Sequence, residues 1–243
     1  MIKWFLIILL AIPRIIYSEI VLLIMNANKE KYDLQKRYNV VRNTVKWICI
    51  LTRRRYRMIN PEIVQTPHSQ GRVYVSNHLH IFDIMTMIEN SPKPLIVISK
   101  KENSKVPFLT THMKAIETIC IDRENIRQSL RVCKEAGELV KNGRDVIVYA
   151  EGHRSKDGNV AEFKAALSPI VQYSESEIVL VCVHGTTKPL KFRWFTYPKE
   201  YIDIKYFEPL PYQYFLDNRK EFNTLTRDII ADQLEAFKKE YDK

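Results

Sequence analysis

His78 and Asp83 are the first residues in the sequence whose types and spacing could do chemistry. They are separated by four residues and directly follow Arg72–Ser76, a short run typical of a buried strand. A carboxylate beside an imidazole fixes its tautomer and stabilises the imidazolium, which suits a general base. Sites in α/β proteins lie at the carboxyl ends of strands, so we predict a catalytic pair here. The same spacing also fits a purely structural hydrogen bond, and Asn77 could cap the helix that follows.

A metal ion is the alternative chemistry for this segment. His78, His80 and Asp83 could be its ligands in a metal-dependent hydrolase. Metal sites usually use three or four convergent ligands, and no second cluster of histidine and acidic residues accompanies this one. The four cysteines are widely spaced without a CxxC pair, which indicates neither a zinc site nor a redox pair and suits a reducing compartment. We therefore predict no metal and no bound cofactor.

A second polar group follows the apolar run Asp145–Tyr149. Gly152 allows close backbone approach, and Arg154 can hold a phosphate through two parallel hydrogen bonds. Ser155 can add a hydroxyl donor, and Glu151 can orient Arg154 or a substrate hydroxyl. Taken alone, the segment also fits a surface turn with an ion pair.

Three further cations complete the candidate site. Lys100 and Lys101 end one apolar run and could contact an anionic donor, and Arg123 ends the next and could be a second phosphate ligand. The chain has only six glycines and no glycine-rich phosphate loop. Phosphate binding would therefore fall to side chains.

The elements that must position these residues alternate between short apolar runs and helical patterns. This alternation predicts an α/β sandwich with a mainly parallel central sheet flanked by helices. The predicted strands are Arg72–Ser76, Leu95–Ser99, Ile116–Ile121, Asp145–Tyr149, Ile178–Val183 and Tyr201–Phe207. The predicted helices are Ile81–Glu89, Pro107–Met113, Glu124–Asn142, Phe163–Tyr173 and Leu225–Tyr241.

The charge of the chain is concentrated before this region. The 243 residues carry a net charge of +10, but residues 1–60 hold 12 basic and 3 acidic side chains, or +9. A basic protein suits an anionic partner. No zinc spacing or RNA-binding aromatic signature points to nucleic acid, so we predict none. We predict a membrane-associated helical segment at 1–60 and a catalytic domain at 61–243.

The N-terminal segment opens with an apolar run, Trp4–Met25. As one helix it would be about 33 Å long, close to the thickness of a bilayer core. Four readings stay open: a signal peptide, a full span, a helix lying in the interface, and an ordinary core helix. Residues 31–58 read as a second, amphipathic helix whose basic end, from Arg53 to Arg57, could face anionic headgroups.

Taken in order, these motifs resemble the glycerolipid acyltransferase family, and within it the lysophosphatidic acid acyltransferases. The resemblance covers about residues 70 to 190. The residues that carry it are Asn77-His78 with Asp83, Lys100 and Glu102 with Pro107-Phe108, Ile121-Asp122-Arg123, Glu151-Gly152 with Arg154-Ser155, and Phe163-Lys164.

The resemblance implies a sheet of about seven strands on a membrane-docked N-terminal segment. His78 would be the general base and Asp83 its partner, while Glu151, Gly152 and Arg154 would hold the acceptor's glycerol phosphate with help from Arg123. The donor would be acyl-CoA or an acyl-carrier protein, the acceptor lysophosphatidate and the product phosphatidate. We expect the cytoplasmic face of a membrane, with a monotopic chain or one N-terminal span.

Two other functions remain open. The same chemistry could serve another acceptor: glycerol 3-phosphate, another lysophospholipid or an aminoacyl lipid. Alternatively, the chain could be a non-enzymatic membrane-surface protein that binds lipid. A serine hydrolase with a G-x-S-x-G elbow is disfavoured because the motif is absent.

Overall fold

A computed structural model describes residues 2–52, 54–187 and 201–241 of the chain. These residues form one seven-stranded sheet in the order β1-β7-β6-β2-β5-β3-β4. The strands are β1 (Arg55–Ile59), β2 (Val73–Ser76), β3 (Leu95–Lys100), β4 (Ile119–Ile121), β5 (Asp145–Tyr149), β6 (Ile178–His184) and β7 (Tyr201–Tyr206). β6, β2, β5, β3 and β4 are parallel neighbours, whereas β7 runs antiparallel to β6 and β1 runs parallel to β7. The predicted fold class, a mainly parallel sheet flanked by helices, is confirmed.

Helices cover both faces of the sheet. The helices are α1 (Ile2–Ala27), α2 (Leu34–Leu51), α3 (Glu62–Gln65), α4 (Ile81–Asn90), α5 (Pro107–Ala115), α6 (Ile126–Lys141), α7 (Leu167–Ser174), α8 (Tyr212–Asp217) and α9 (Phe222–Tyr241), with a 3₁₀ helix at Lys101–Lys105. Residues of α1 to α5 share one hydrophobic core, and residues of α6 to α9 share the other. Consecutive strand residues alternate between the two cores, so continuous valine and isoleucine runs are buried on both sides.

The prediction of one helix over residues 31–58 is wrong at its basic end, where Arg55–Ile59 form strand β1. α2 ends at Leu51, and β1 joins the edge of the sheet beside β7. Arg57 pairs with Asp203 at 2.5 Å, because that buried carboxylate needs a countercharge. Arg54 donates to the carbonyl of Gly185. These two arginines hold the fold together and do not form a headgroup-facing cluster. Arg53 lies outside the described residues.

α1 has one buried side and one apolar exposed side. Its stretch Leu9–Ala27 is long and apolar enough to cross a bilayer. The buried side contacts the domain through Ala11, Ser18, Leu22 and Met25. The exposed side presents Leu9, Leu10, Ile12, Ile16, Tyr17, Ile20, Leu23 and Ile24. One side of the helix therefore packs against protein, and the other side is an exposed apolar surface.

Polar contacts attach α1 to α5. Ser18 Oγ lies 3.2 Å from His112 Nε2, and Thr111 donates to Glu19 Oε1 at 2.6 Å. Burial lowers the pKa of His112, so the imidazole is favoured in its neutral form. Two of the polar residues that interrupt the apolar run are thus bonded to the domain.

Candidate active site

The turn from β2 into α4 brings His78 and Asp83 together. His78 Nδ1 and Asp83 Oδ2 are 2.9 Å apart, and Asp83 is fully buried. The same carboxylate oxygen accepts the backbone N–H groups of Leu79 at 2.6 Å and His80 at 2.7 Å. Three donors therefore fix this carboxylate. The imidazole of His78 keeps its Nε2 free of hydrogen bonds to any part of the chain that the structure describes.

His80 caps α4. Its Nδ1 accepts from the backbone N–H of Phe82, while Asp83 accepts from the N–H of His80, which is a reciprocal capping box. Burial lowers the pKa of His80, and a neutral imidazole is the form that can accept this bond. Asn77, which the sequence suggested as the cap, instead forms two hydrogen bonds with the backbone of Val183 in β6.

No metal-binding group of three or more His, Cys, Asp or Glu side chains occurs among residues 2–52, 54–187 and 201–241.

Glu151 ties the loop after β5 to the turn between β2 and α4. It is fully buried, and its two oxygens accept the backbone N–H groups of His78 at 2.7 Å and Ala161 at 2.8 Å. Burial raises its pKa, and the two donors oppose that shift. We predicted that Glu151 orients Arg154 or a substrate hydroxyl. Instead, both carboxylate oxygens of Glu151 accept hydrogen bonds from backbone N–H groups, because a buried N–H needs an acceptor.

The rest of that loop is bonded to His78 at Ser155, the residue after Arg154. Ser155 N donates to the carbonyl of His78 at 2.7 Å. The Ser155 hydroxyl, predicted to donate to a phosphate, is instead bonded to Asp157 and to the N–H of Gly158. Gly152 has a positive φ of 73°, which favours glycine. Arg154 is exposed and has no ion-pair partner within the described ranges.

Lys100, Lys101 and Arg123 lie on the same edge of the sheet but farther from His78. Lys100 pairs with Glu102 at 3.1 Å and Lys101 with Asp122 at 3.3 Å, both exposed. β3 and β4 are two and three strands from β2. At about 4.8 Å per strand, Arg123 begins roughly 14 Å across the sheet from the turn between β2 and α4, which holds His78. The structure therefore separates these cations from the group around His78.

Tyr149 is a site residue that the sequence analysis missed. It ends β5, paired in register with Ser76 of β2, and its ring lies 4.4 Å from that of His78, centroid to centroid. Its hydroxyl is buried with no hydrogen-bond partner among the described residues. Burial, together with the charge of Asp83, raises the pKa of Tyr149 well above its usual value. The neutral ring thus forms one wall of the imidazole's surroundings. The available signal was its position at the end of a predicted strand, where sites in α/β proteins lie.

Comparison with known proteins gives a family match over β1 to β6 and this site. Residues 55–185, more than half of the chain, match a protein-family model described as Acyltransferase. The chain is 31% identical over 116 residues to a chloroplastic 1-acyl-sn-glycerol-3-phosphate acyltransferase from Arabidopsis thaliana, covering 48% of this chain and 32% of that protein. It is 26% identical over 181 residues to a 1-acyl-sn-glycerol-3-phosphate acyltransferase from Limnanthes alba, covering 73% and 64%. The match thus spans about a third of the length of the Arabidopsis relative.

A solved structure shares the fold. The crystal structure of the 1-acyl-sn-glycerophosphate acyltransferase PlsC from Thermotoga maritima aligns with a TM-score of 0.78 over 98% of this chain and 95% of that chain. The sequence identity is 22%, so this similarity establishes the architecture.

Proposed function

Because the chain belongs to the acyltransferase family, we propose that it moves a fatty acyl group from a thioester donor to the free hydroxyl of lysophosphatidate, giving phosphatidate. The observation that carries this proposal is the His78–Asp83 pair, with Nδ1 bonded to a buried carboxylate and Nε2 left available. The choice of lysophosphatidate as acceptor rests on the names of the similar proteins. The choice of a general-base mechanism rests on the His78–Asp83 pair.

The mechanism follows from the hydrogen bonding of the His78 imidazole, whose Nδ1 is bonded to Asp83 and whose Nε2 is available. The acceptor hydroxyl is a weak nucleophile near neutral pH, and His78 Nε2 takes its proton as the oxygen attacks the thioester carbonyl. The C–O bond forms and the C–S bond breaks, and the imidazolium returns its proton to the leaving thiolate. Asp83 stabilises the imidazolium in between. No covalent acyl-enzyme is needed.

A thioester-release assay tests the proposal. Purified full-length chain in mixed micelles is given one acyl-CoA, with and without lysophosphatidate. We expect thiol release that depends on the acceptor and phosphatidate as the product. A parallel panel with glycerol 3-phosphate and other lysophospholipids reports another acceptor. No release with any acceptor, from a folded protein, would favour a non-enzymatic lipid-binding role.

Arg154 is proposed to bind the phosphate of the acceptor. It is exposed, without an ion-pair partner in the described part of the chain, and adjoins the residue whose N–H is bonded to His78. A guanidinium suits a phosphate because its donors form a planar fork. Anchoring a remote group holds the acceptor hydroxyl near Nε2.

Replacing Arg154 with Ala should raise KM for lysophosphatidate by ~10- to 10²-fold with a smaller fall in kcat, as lost charge-assisted hydrogen bonds would. Arg154→Lys, the matched control, should recover part of the loss. Initial-rate kinetics at saturating acyl-CoA measure both. An unchanged KM would remove the phosphate-binding role.

The ring of Tyr149, and not its hydroxyl, should matter for turnover. Tyr149→Phe should keep kcat within about twofold and be at least as stable, since the buried hydroxyl has no partner to lose among the described residues. Tyr149→Leu should lower kcat by ~10- to 10²-fold by loosening the imidazole. Equal behaviour of the two variants would contradict a positioning role.

We also propose that α1 lies in the membrane interface, with the chain at the membrane surface. A helix that spans the bilayer alone would expose Ser18 and Glu19 to lipid. Here both contact α5. The opposite side is apolar, as in helices that insert one face into the headgroup region.

Replacing Ile16 and Ile20 with Gln should release the chain from vesicles. Both side chains are 54% exposed in the protein, and each would bury apolar surface in the bilayer. The partition coefficient of the protein between vesicles and water should therefore fall ~10- to 10²-fold. Co-sedimentation with vesicles containing anionic lipid measures it. Ile59→Gln with Leu216→Gln, which replaces exposed aliphatic residues elsewhere, is the control. Equal loss in both double variants would argue against docking by α1.

A further inference from the structure

A groove of about 590 Å³ lies between α1 and α2, at the surface of the N-terminal segment. Its volume is within the ~300–1,000 Å³ range that ligand pockets occupy. Leu10 and Pro13 of α1 and Trp47 and Ile50 of α2 form its apolar part. Trp47 is 40% exposed and Ile50 is 55% exposed, so the packing of α1 on α2 leaves this apolar surface open.

Two cations line the same groove, one from each helix. Arg14 belongs to α1 and Lys46 to α2, and Asn43 adds an amide beside them. Lys46 forms no hydrogen bond or ion pair with any residue that the structure describes. Over the same ranges, the one polar contact of Arg14 is with the ring of Tyr17, whose centroid is 5.3 Å from Arg14 Cζ. The described part of the fold therefore leaves both charges for a ligand.

No carboxylate of the two helices neutralises this pair of cations. α2 contains no acidic residue, and the one in α1, Glu19, accepts a hydrogen bond from Thr111 of α5. Glu30 and Asp33 are in the loop that joins the helices, and Asp33 precedes Asn43 by ten residues, or roughly 15 Å along α2. The lining of the groove thus carries two positive charges and no negative charge, which favours an anionic ligand.

The groove opens onto the exposed apolar side of α1. Leu10 and Tyr17 belong to both surfaces, and Trp47 and Ile50 continue the exposed apolar surface onto α2. Cations and aromatic rings beside apolar side chains are typical of the membrane interface, where the rings and charged groups lie among headgroups and the aliphatic parts reach the acyl chains. The ligand that matches both the charge and the apolar surface is a lipid.

We propose that the groove between α1 and α2 binds one anionic phospholipid of the bilayer, with its phosphate between Arg14 and Lys46 and its acyl chains along the apolar side of α1. The inference rests on the interfacial position proposed for α1. A guanidinium can donate two parallel hydrogen bonds to phosphate oxygens, and the ammonium adds a further charge-assisted bond. A zwitterionic lipid would bring its own cation to a groove whose lining has no carboxylate to pair with it.

Trp47 lines the groove and can report which lipid occupies it. A chain with Trp4→Phe and Trp194→Phe keeps Trp47 as its only tryptophan. This chain is bound to vesicles of two parts phosphatidylcholine and one part phosphatidylglycerol, in which one lipid or the other carries bromine on its acyl chains. Bromine quenches tryptophan fluorescence at contact. Because both kinds of vesicle have the same surface charge, a difference in quenching reports which lipid lies beside Trp47.

Three pairs of substitutions are compared in this single-tryptophan chain. Arg14→Gln with Lys46→Gln removes both cations, and neither side chain loses an ion pair within the described residues. Lys29→Gln with Lys31→Gln is the matched control, because it removes the same charge from exposed positions in the loop between the same two helices. Arg14→Lys with Lys46→Arg exchanges the cations and keeps the charge.

We expect quenching of Trp47 to favour phosphatidylglycerol ~10-fold over its mole ratio, the order that two cations near an anionic lipid give. The preference should shrink as salt is raised. It should disappear in Arg14→Gln with Lys46→Gln, and it should remain in the loop control and in the variant that keeps the charge.

Quenching that follows the mole ratio, or a preference that survives removal of Arg14 and Lys46, would overturn the inference. An equal loss in the loop control would also overturn it, since the cations would then act only as diffuse charge. Trp47 that is shielded from aqueous iodide but quenched by neither lipid would show that another occupant, such as a second copy of the chain, covers the groove.

The same measurement separates this inference from the proposed docking of α1. A chain that fails to bind vesicles would refute the interfacial position of α1. Quenching in detergent micelles that contain the two lipids would then still decide whether the groove prefers the anionic one. Neither measurement uses acyl transfer, so an inactive chain would count against the proposed reaction and leave the groove to be judged by quenching alone.

Discussion

A His78→Ala variant will fold like the wild-type chain and lose acyl transfer by a factor of ~10²–10⁴, the usual value of a general base. The side chain is only partly buried, and its loss removes one of three donors to Asp83, so the turn keeps its two backbone bonds. KM for lysophosphatidate should change little because the phosphate contact is elsewhere. Acceptor-dependent thiol release and the urea unfolding midpoint measure the two quantities.

A His78→Gln variant is the matched control, since its amide can still hydrogen-bond to Asp83 but cannot serve as a base. It should be as inactive as His78→Ala. Turnover within tenfold of wild type from either folded variant would exclude His78 as the base and leave the pair a structural bond.

An Asp83→Asn variant should lose ~10²–10⁴-fold in kcat, because a neutral amide no longer stabilises the imidazolium. The amide oxygen can still accept the N–H groups of Leu79 and His80, so the start of α4 should survive. The amide nitrogen would occupy a buried position without a partner among the described residues, at a cost of about 1–3 kcal/mol in the free energy of unfolding.

The double variant tells a catalytic effect from a structural one. If Asp83 acts through His78, His78→Ala with Asp83→Asn should be no slower than His78→Ala alone. Additive losses would show that Asp83 contributes by another route, and the denaturant midpoint would show whether that route is stability.

The central strands could be predicted because their composition follows from where they lie. β2, β5 and β6 are covered on both faces, so each reads as a continuous apolar run. β1 could not be predicted in the same way. It is an edge strand with intermediate and exposed side chains, and its Arg57 is neutralised by Asp203, 146 positions away. Such a strand looks like solvated helix in sequence.

The candidate site also has one part that the sequence could predict and one part that it could not. His78 and Asp83 meet within one turn, so their spacing was sufficient to predict the contact. Glu151 and Tyr149 reach the turn from β5, 73 residues away in the case of Glu151. A carboxylate beside an arginine suggested substrate binding, but the burial of Glu151 made backbone its partner. Burial by distant elements cannot be read from a local motif.

The exposed apolar side of α1 has a consequence for kinetics, because it determines which concentration of acceptor sets the reaction rate. With α1 docked as proposed, enzyme and lysophosphatidate share a two-dimensional phase, and their encounter depends on the mole fraction of lysophosphatidate in one leaflet. Diluting that leaflet with inert lipid then slows the reaction even though the bulk concentration of acceptor is unchanged. The contacts of Ser18 and Glu19 with α5 attach α1 to the rest of the chain, so in that arrangement the site would stay close to the leaflet. In the same arrangement, substrate would enter and product would leave by lateral movement within that leaflet.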